Sequence, residues 1–267
     1  MTNQKVLMTG AAGYVGTLLL DRLAPRYDWL LTDLHAPVRD YQLPFVAADI
    51  NDLTAMTQLC RRVETVLHLA ASARQDHDWE NILSANLSGV RQVFEAARLA
   101  GCRRVVFAST LTLLDGVLEN QDAGRRLTPD APLAPGTLYA ASKAWGEALA
   151  QTYARQYGMS LLCLRLGWIK PRDAKCLTPD WPHLGKVLIE GDCARLAAAA
   201  IDAPGDLRWG IFYGLSANRE QPVDISATIE RLGYHPQDDA FALARRHPWR
   251  QRTRRWAGRV WRAATQF

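Results

Sequence analysis

The chain has 267 residues, 48% of them hydrophobic and 22% charged, which suits one large globular α/β domain or such a domain with a modest appendage. No stretch approaches the ~20 apolar residues of a membrane span and no apolar leader precedes the first strand-like run, so the expectation is a cytoplasmic protein. The net charge of +5 comes from the C-terminus: eight arginines and no carboxylate lie between Arg245 and Phe267, and without them the body stands at −3, which argues against nucleic acid as a partner.

Short apolar runs at 5–9, 29–32, 45–48, 65–69, 104–108 and 160–166 alternate with stretches of helical period, notably 78–100 and 137–157. That alternation predicts a parallel sheet with helices on both faces, a doubly wound Rossmann-type α/β fold. Thr137 is placed to cap the second of those helices and Gly158 to end it. From Gly167 the pattern loosens through a Pro-, Trp- and charge-bearing stretch, 168–186, then resumes with a helix at 192–202, a strand at 209–213 and a helix at 224–232. The expected organisation is a core of 1–166, a small second part of 167–244 interleaved with it, and a basic amphipathic tail of 245–267.

Between the first strand and helix stands Thr9-Gly10-Ala11-Ala12-Gly13-Tyr14-Val15-Gly16. Glycines there allow a tight turn and a close backbone approach to a pyrophosphate, whose charge a helix N-terminus favours. Turns also use glycine for their own sake, so the context matters: a strand precedes and a helix follows. Asp33 lies 17 positions after Gly16, at the end of the second strand. A carboxylate there can accept both ribose hydroxyls of NAD and would repel the extra phosphate of NADP; as a plain turn residue it would need no ligand.

Tyr139 and Lys143 lie at i and i+4, on one helix face. A nearby ammonium favours phenolate, which would lower the phenol from its usual ~10 and supply a general base for a substrate hydroxyl. Taken alone the spacing is a common accident, for which a solvated helix face is the favoured reading.

In this order the two signals resemble the extended short-chain dehydrogenase/reductase family, over roughly residues 4–240. Further matches are Asp49-Ile50, placed like the family's adenine-contacting pair, His68-Leu69-Ala70-Ala71 after the fourth strand, Asn86, and the strand ending Val106-Phe107-Ala108-Ser109-Thr110. The resemblance implies an NAD-dependent oxidoreductase. Tyr139, Lys143 and Thr110 would be catalytic, with Ser109 as the alternative to Thr110 and Asn86 beside them. Gly10, Ala12, Gly13, Tyr14, Val15, Gly16, Asp33, Asp49, Ile50, Leu69, Ala70, Ala71, Asn86, Tyr139 and Lys143 would hold the cofactor. Asn86 also falls in the apolar stripe Ile82, Gly89, Val90, Val93, Ala97, where a buried amide needs partners of its own.

Within that family the sequence is similar to uronate dehydrogenases, in 138–158, in Gly214 to Asn218 and in Leu232 to Pro236. It departs from them where they contact the sugar acid. Leu111-Thr112 replaces an Asn-His pair, Trp168 stands in place of a serine, and Lys175 lies near the position of an arginine. The expected substrate contacts are therefore Ala73, Leu111, Thr112, Trp168, Arg172 and Lys175, for a small sugar, sugar phosphate or sugar acid oxidised at its anomeric hydroxyl to a lactone. Leu111-Thr112 cannot provide the Asp-Glu pair of a dehydratase. Two alternatives stand: a sugar epimerase retaining NAD, which uses the same Tyr–Lys pair, and a non-catalytic NAD-binding sensor or scaffold.

The five cysteines are scattered, with no close pair in sequence, so neither a disulfide framework nor a metal site is expected. In the tail, Trp249, Thr253, Trp256, Val260, Ala263 and Phe267 recur at helical spacing among arginines. Packing against another subunit of a homo-oligomer, or a frayed end, is favoured there over contact with an anionic membrane.

Overall fold

The computed structural model of the chain describes residues 3–73, 78–120 and 125–246; the tail from 247 onward, including its tryptophans, lies outside the described residues. In chain order the elements are β1 (Lys5–Thr9), α1 (Tyr14–Leu23), β2 (Asp28–Asp33), β3 (Phe45–Ala47), α2 (Leu53–Cys60), β4 (Thr65–His68) and α3 (Trp79–Asn81). A π-helical segment (Ile82–Gly89) leads into α4 (Val90–Ala100). Then come β5 (Arg104–Thr110), a 3₁₀ turn (Leu111–Leu114), α5 (Asp115–Leu118), α6 (Leu138–Tyr157), β6 (Ser160–Leu166) and β7 (Trp168–Lys170). The chain continues through β8 (Val187–Ile189), α7 (Glu190–Ile201), β9 (Trp209–Gly214), α8 (Ser226–Leu232) and α9 (Ala240–Arg246).

Seven strands form one parallel sheet in the order β3-β2-β1-β4-β5-β6-β9. The first six follow the doubly wound order 3-2-1-4-5-6, and the expected Rossmann-type fold is the observed one. Each central strand is buried on both faces. Leu7, Val66, Val105, Phe107 and Leu161 pack on the side of α2, α4 and α6, while Val6, Met8, Leu67, Val106 and Leu162 pack on the side of α1 and α7. Two apolar layers thus meet one sheet, as parallel strands require.

The stretch 168–186, irregular in its sequence pattern, opens with β7, which pairs in parallel with β8 just beyond it. Strand β9, from the second part, pairs in parallel with β6 at the edge of the main sheet. Helix α9 runs through Arg246 with Ala240 and Ala244 buried, so it crosses the compositional boundary at 244. Thr137 caps α6 by accepting from Ala140 N, and Gly158 ends it at φ +66°.

Candidate active site

The glycine turn stands where the strand order reverses, between β1 and β4, which is where open α/β sheets bind ligands. Gly10 has φ +72°, and a Cβ on it would lie 2.6 Å from Ala70 N; a Cβ on Gly16 would lie 2.5 Å from Gly10 O. The turn can therefore rest on the end of β4, and α1 on the turn, only with glycine at both places. Asp33 clamps this turn from the end of β2: Oδ2 accepts from Ala12 N at 2.9 Å and Oδ1 from Leu34 N at 2.7 Å.

A cleft of about 560 Å³ opens beside the turn. Gly10, Ala12, Gly13, Asp33, Asp49, Ile50, Leu69, Ala70 and Ala71 line it, nine of the residues expected to hold cofactor. Leu34, His35, Asn51, Ser72 and Ser84 line it too; the sequence does not single them out, although most of them adjoin a residue that it does. Tyr14, Val15 and Gly16 form the first turn of α1 rather than the wall. Gly16 is buried under the loop, and the exposed Tyr14 hydroxyl donates to Glu190 Oε1 at 3.0 Å.

Asn86 is fully buried in the π-helical segment and does not line the cleft. Its Oδ1 accepts from Ser72 N at 2.7 Å, and its Nδ2 donates to Ser72 O at 3.0 Å and to Ser142 Oγ at 2.9 Å. The amide is a clamp: it fixes the backbone of the cleft residue Ser72 and ties it to α6. The wider turn of a π segment is a frequent feature of functional sites.

At the ends of β5 and α6 the expected catalytic residues come together. The Thr110 hydroxyl neighbours the Tyr139 phenol and favours its ionisation, and its Oγ1 lies 3.0 Å from Thr112 Oγ1. Ser109 faces the other way, donating from Oγ to Glu147 Oε1 at 2.6 Å, so of the two hydroxyls only that of Thr110 meets Tyr139. Lys143 is 2% exposed; its Nζ donates to Ala108 O at 2.8 Å and lies 4.8 Å from the centre of the Phe107 ring. Gly146 makes room for that ring, since a Cβ there would lie 2.6 Å from Phe107 Cζ.

The expected depression of the Tyr139 phenol by Lys143 is not observed. Burial pushes the phenol up to about 12, with the Thr110 hydroxyl opposing the rise, and burial lowers Lys143 to about 8. Desolvation outweighs the attraction between the two because Nζ is turned to Ala108 O and stands 5.7 Å from the Tyr139 ring centre.

On the substrate side the expectations divide. Leu111 is 1% exposed and packs with Leu114, Tyr213 and Leu215, because the 3₁₀ turn after β5 swings it inward; it is a core residue and not a contact. Arg172 is engaged with the buried Asp238 at 3.1 Å. Lys175 and Ala73 are exposed, and Thr112 stays beside Thr110. Trp168 follows closely on Leu166, the register partner of Thr110, and packs on His183 at 4.4 Å and Trp181 at 5.5 Å between ring centres. Lys186 reaches Asp115 at 3.4 Å in the same quarter. Nothing in the sequence marks the pairing of Lys186 with Asp115, which lie 71 positions apart.

NAD fits these residues. The glycine turn admits close approach, the first N–H groups of α1 have no intrahelical acceptor and favour phosphate, and the Asp33 carboxylate keeps lone pairs for ribose hydroxyls at the cleft rim.

Residues 6–169 match the NAD dependent epimerase/dehydratase family. A NAD-dependent glucose-6-phosphate dehydrogenase of Haloferax volcanii is 31% identical over 258 residues, covering 89% of this chain and 95% of the relative. A uronate dehydrogenase of Agrobacterium fabrum is 32% identical over 248 residues, covering 91% of this chain and 88% of the relative. The crystal structure of a mutant uronate dehydrogenase from Agrobacterium tumefaciens, complexed with NAD, superposes with a TM-score of 0.76 at 29% identity, covering 91% of this chain and 88% of that one. With the fold, the turn and the Tyr–Lys helix agreeing, the chain belongs to the NAD-dependent epimerase/dehydratase family, as an NAD-dependent dehydrogenase of the extended short-chain dehydrogenase/reductase type.

Proposed function

We propose that the protein oxidises a small sugar, sugar phosphate or sugar acid at its anomeric hydroxyl, giving a lactone, with Tyr139 as general base. The observation that carries this reading is the meeting of Thr110 with the Tyr139 phenol one helical turn from Lys143. The substrate class draws on the similarity to dehydrogenases of glucose-6-phosphate and of uronates. It draws also on the absence of an acid/base pair at Leu111-Thr112.

In this reading the Thr110 hydroxyl orients the substrate hydroxyl toward Tyr139. The phenol oxygen takes the hydroxyl proton as hydride leaves the same carbon, and bound NAD supplies the acceptor for that hydride. A phenol held near 12 is a strong base once ionised but is scarcely ionised at neutral pH, so only the small ionised fraction takes the proton. Lys143, buried beside the phenol, supplies positive charge while protonated and a donor for the cofactor ribose. Asp33 selects NAD. Ala73, Thr112, Trp168 and Lys175 are the substrate contacts that remain from the sequence reading, Lys186 joins them, and Arg172 contributes only by exchanging its bond to Asp238.

The test is NAD reduction measured with a panel of aldoses, uronates and sugar phosphates, with lactone identified as product. Reduction with at least one member is expected. Reduction with none, together with interconversion of a nucleotide sugar without net reduction, would replace this reading with an epimerase.

A further inference from the structure

Three consecutive residues at the end of β5 each hold a side chain on one face of α6. Ala108 O accepts from Lys143 Nζ at 2.8 Å, Ser109 Oγ donates to Glu147 Oε1 at 2.6 Å, and the Thr110 hydroxyl neighbours the Tyr139 phenol. Tyr139, Lys143 and Glu147 stand at i, i+4 and i+8, one above another along the helix. Glu147 is 4% exposed and fully engaged: Arg165 of β6 donates from Nε to Oε1 at 2.9 Å and from Nη2 to Oε2 at 2.8 Å. Arg165 donates in turn from Nη1 to Pro129 O at 3.2 Å and to the Tyr213 hydroxyl at 3.3 Å, which itself donates to Thr128 O at 2.9 Å. One carboxylate thus links α6 to β5, and through Arg165 to β6, β9 and the loop before α6.

A buried ion pair is a poor source of stability, because desolvating both charges offsets most of their attraction. What it does provide is direction: a bidentate guanidinium and a hydroxyl leave the carboxylate one position. We propose that Glu147 is a positioning residue of the active site, fixing the register of α6 on β5 so that the Tyr139 phenol meets Thr110, and supporting with its charge the ammonium of Lys143 one turn away. This rests on Tyr139 being the base.

The surroundings of Lys143 agree with the electrostatic half. Burial drives Lys143 toward its neutral form, and Cys163 of β6 and Glu147 oppose that. His68 of β4 also faces Lys143 and is held neutral by burial and by that same ammonium, while Tyr139 shares its helix face. Glu147 is therefore the one carboxylate among these neighbours, and it is paired with Arg165.

Glu147→Gln keeps the size and the Ser109 bond and removes the charge. With lysine labelled at Cε, and the Lys143 signal identified by its loss in Lys143→Arg, NMR titration should show the Lys143 midpoint falling by about one pH unit in Glu147→Gln. Glu147→Asp should bring it back. The kcat for NAD reduction with the best substrate of the aldose, uronate and sugar phosphate panel should fall about tenfold or more in Glu147→Gln, with the Kd for NAD within about twofold. If the buried, unpaired Arg165 prevents that variant from folding, Glu147→Met combined with Arg165→Met removes both charges, and a smaller fall of the Lys143 midpoint in the same direction is expected, because the two lost charges oppose each other. A midpoint that stays in place, or a kcat that falls only as far as NAD binding does, overturns the inference. Tyr139→Phe separates the two levels. If it is active, the base assignment fails; if it is inactive while Glu147→Gln behaves as wild type, the positioning role alone fails.

Discussion

The Nδ1 of His68 lies 2.7 Å from the hydroxyl of Thr9, so the last residue of β4 is tied to the last residue of β1 just beneath the glycine turn. Thr9 Oγ1 also accepts from Ala70 N at 3.4 Å, and the His68 Nε2 has no partner among the described residues. Burial and the Lys143 ammonium lower His68 to about 3. The native state thus binds no proton there between about pH 6.5 and 3, while the unfolded chain does. The stability from neutral His68 is complete above the unfolded value and is lost as pH falls through that window, with a ceiling of roughly 5 kcal/mol. Urea unfolding at pH 7 and pH 5 should show the wild type losing about 2 kcal/mol more than His68→Gln, which keeps an acceptor for Thr9 and does not titrate. Equal losses in the two proteins would show that His68 does not titrate on unfolding as described.

Ser109 and Thr110 are neighbours with opposite partners, and kinetics should separate them. Thr110→Ala removes the hydroxyl that meets Tyr139 and should lower kcat by about 10² or more, close to the ~10² to 10⁴ expected for Tyr139→Phe. Ser109→Ala deprives Glu147 of one of its three donors and should lower stability by about 1 kcal/mol, with kcat falling less than tenfold. Equal kinetic damage from both changes would mean that the two hydroxyls share the role. Retention of more than about a tenth of kcat in Tyr139→Phe would assign the proton to another base.

The two groups at the centre also predict a pH profile. A base must be ionised to act, and Tyr139 is held up near 12, so kcat/KM for oxidation should rise with pH across the neutral range. Lys143 changes charge near 8, so the steepness of that rise should change there, and Lys143→Met should erase the change of slope. A kcat/KM that is flat from about pH 6 to 9 would exclude a buried phenol as the base.

The parts legible in the sequence are those written in short stretches. Strands β1 and β6 follow from their apolar runs, the ends of α6 from Thr137 and Gly158, and the cofactor cleft from glycines whose spacing a strand–helix junction dictates. Helix α2 is hard to see in the sequence although Asp52 caps it and Met56, Leu59 and Cys60 bury one face, because eight residues give little periodicity. Leu111 reads as a substrate contact because position along the chain cannot tell whether the turn after a strand points outward or folds into the core. The Glu147–Arg165 pair is invisible for a different reason. Each residue alone is an ordinary charge, and only the crossing of α6 over β6 brings them together in a buried site.

Asp33 offers the sharpest test of cofactor choice. Its carboxylate stands on the cleft wall with both oxygens accepting backbone N–H groups, from Ala12 and Leu34, so it cannot swing away from a 2′-phosphate. The wild type should prefer NAD to NADP by tenfold or more, about 1.4 kcal/mol, a modest figure for two negative charges in contact. Arg39 would offset this only by reaching the phosphate, and its guanidinium is engaged with Asp21 at 2.7 Å and lies over the Tyr41 ring at 5.2 Å. Asp33→Asn keeps the acceptor for Ala12 and removes the charge, so the preference should shrink toward unity mainly through tighter NADP binding. Asp33→Ala should in addition weaken NAD, because the turn loses its clamp. Calorimetric or fluorescence titration with both dinucleotides reads all three proteins. Equal affinity of the wild type for NAD and NADP would overturn the role given to Asp33, and an Asp33→Asn variant with unchanged selectivity would place the discrimination in another residue of the cleft.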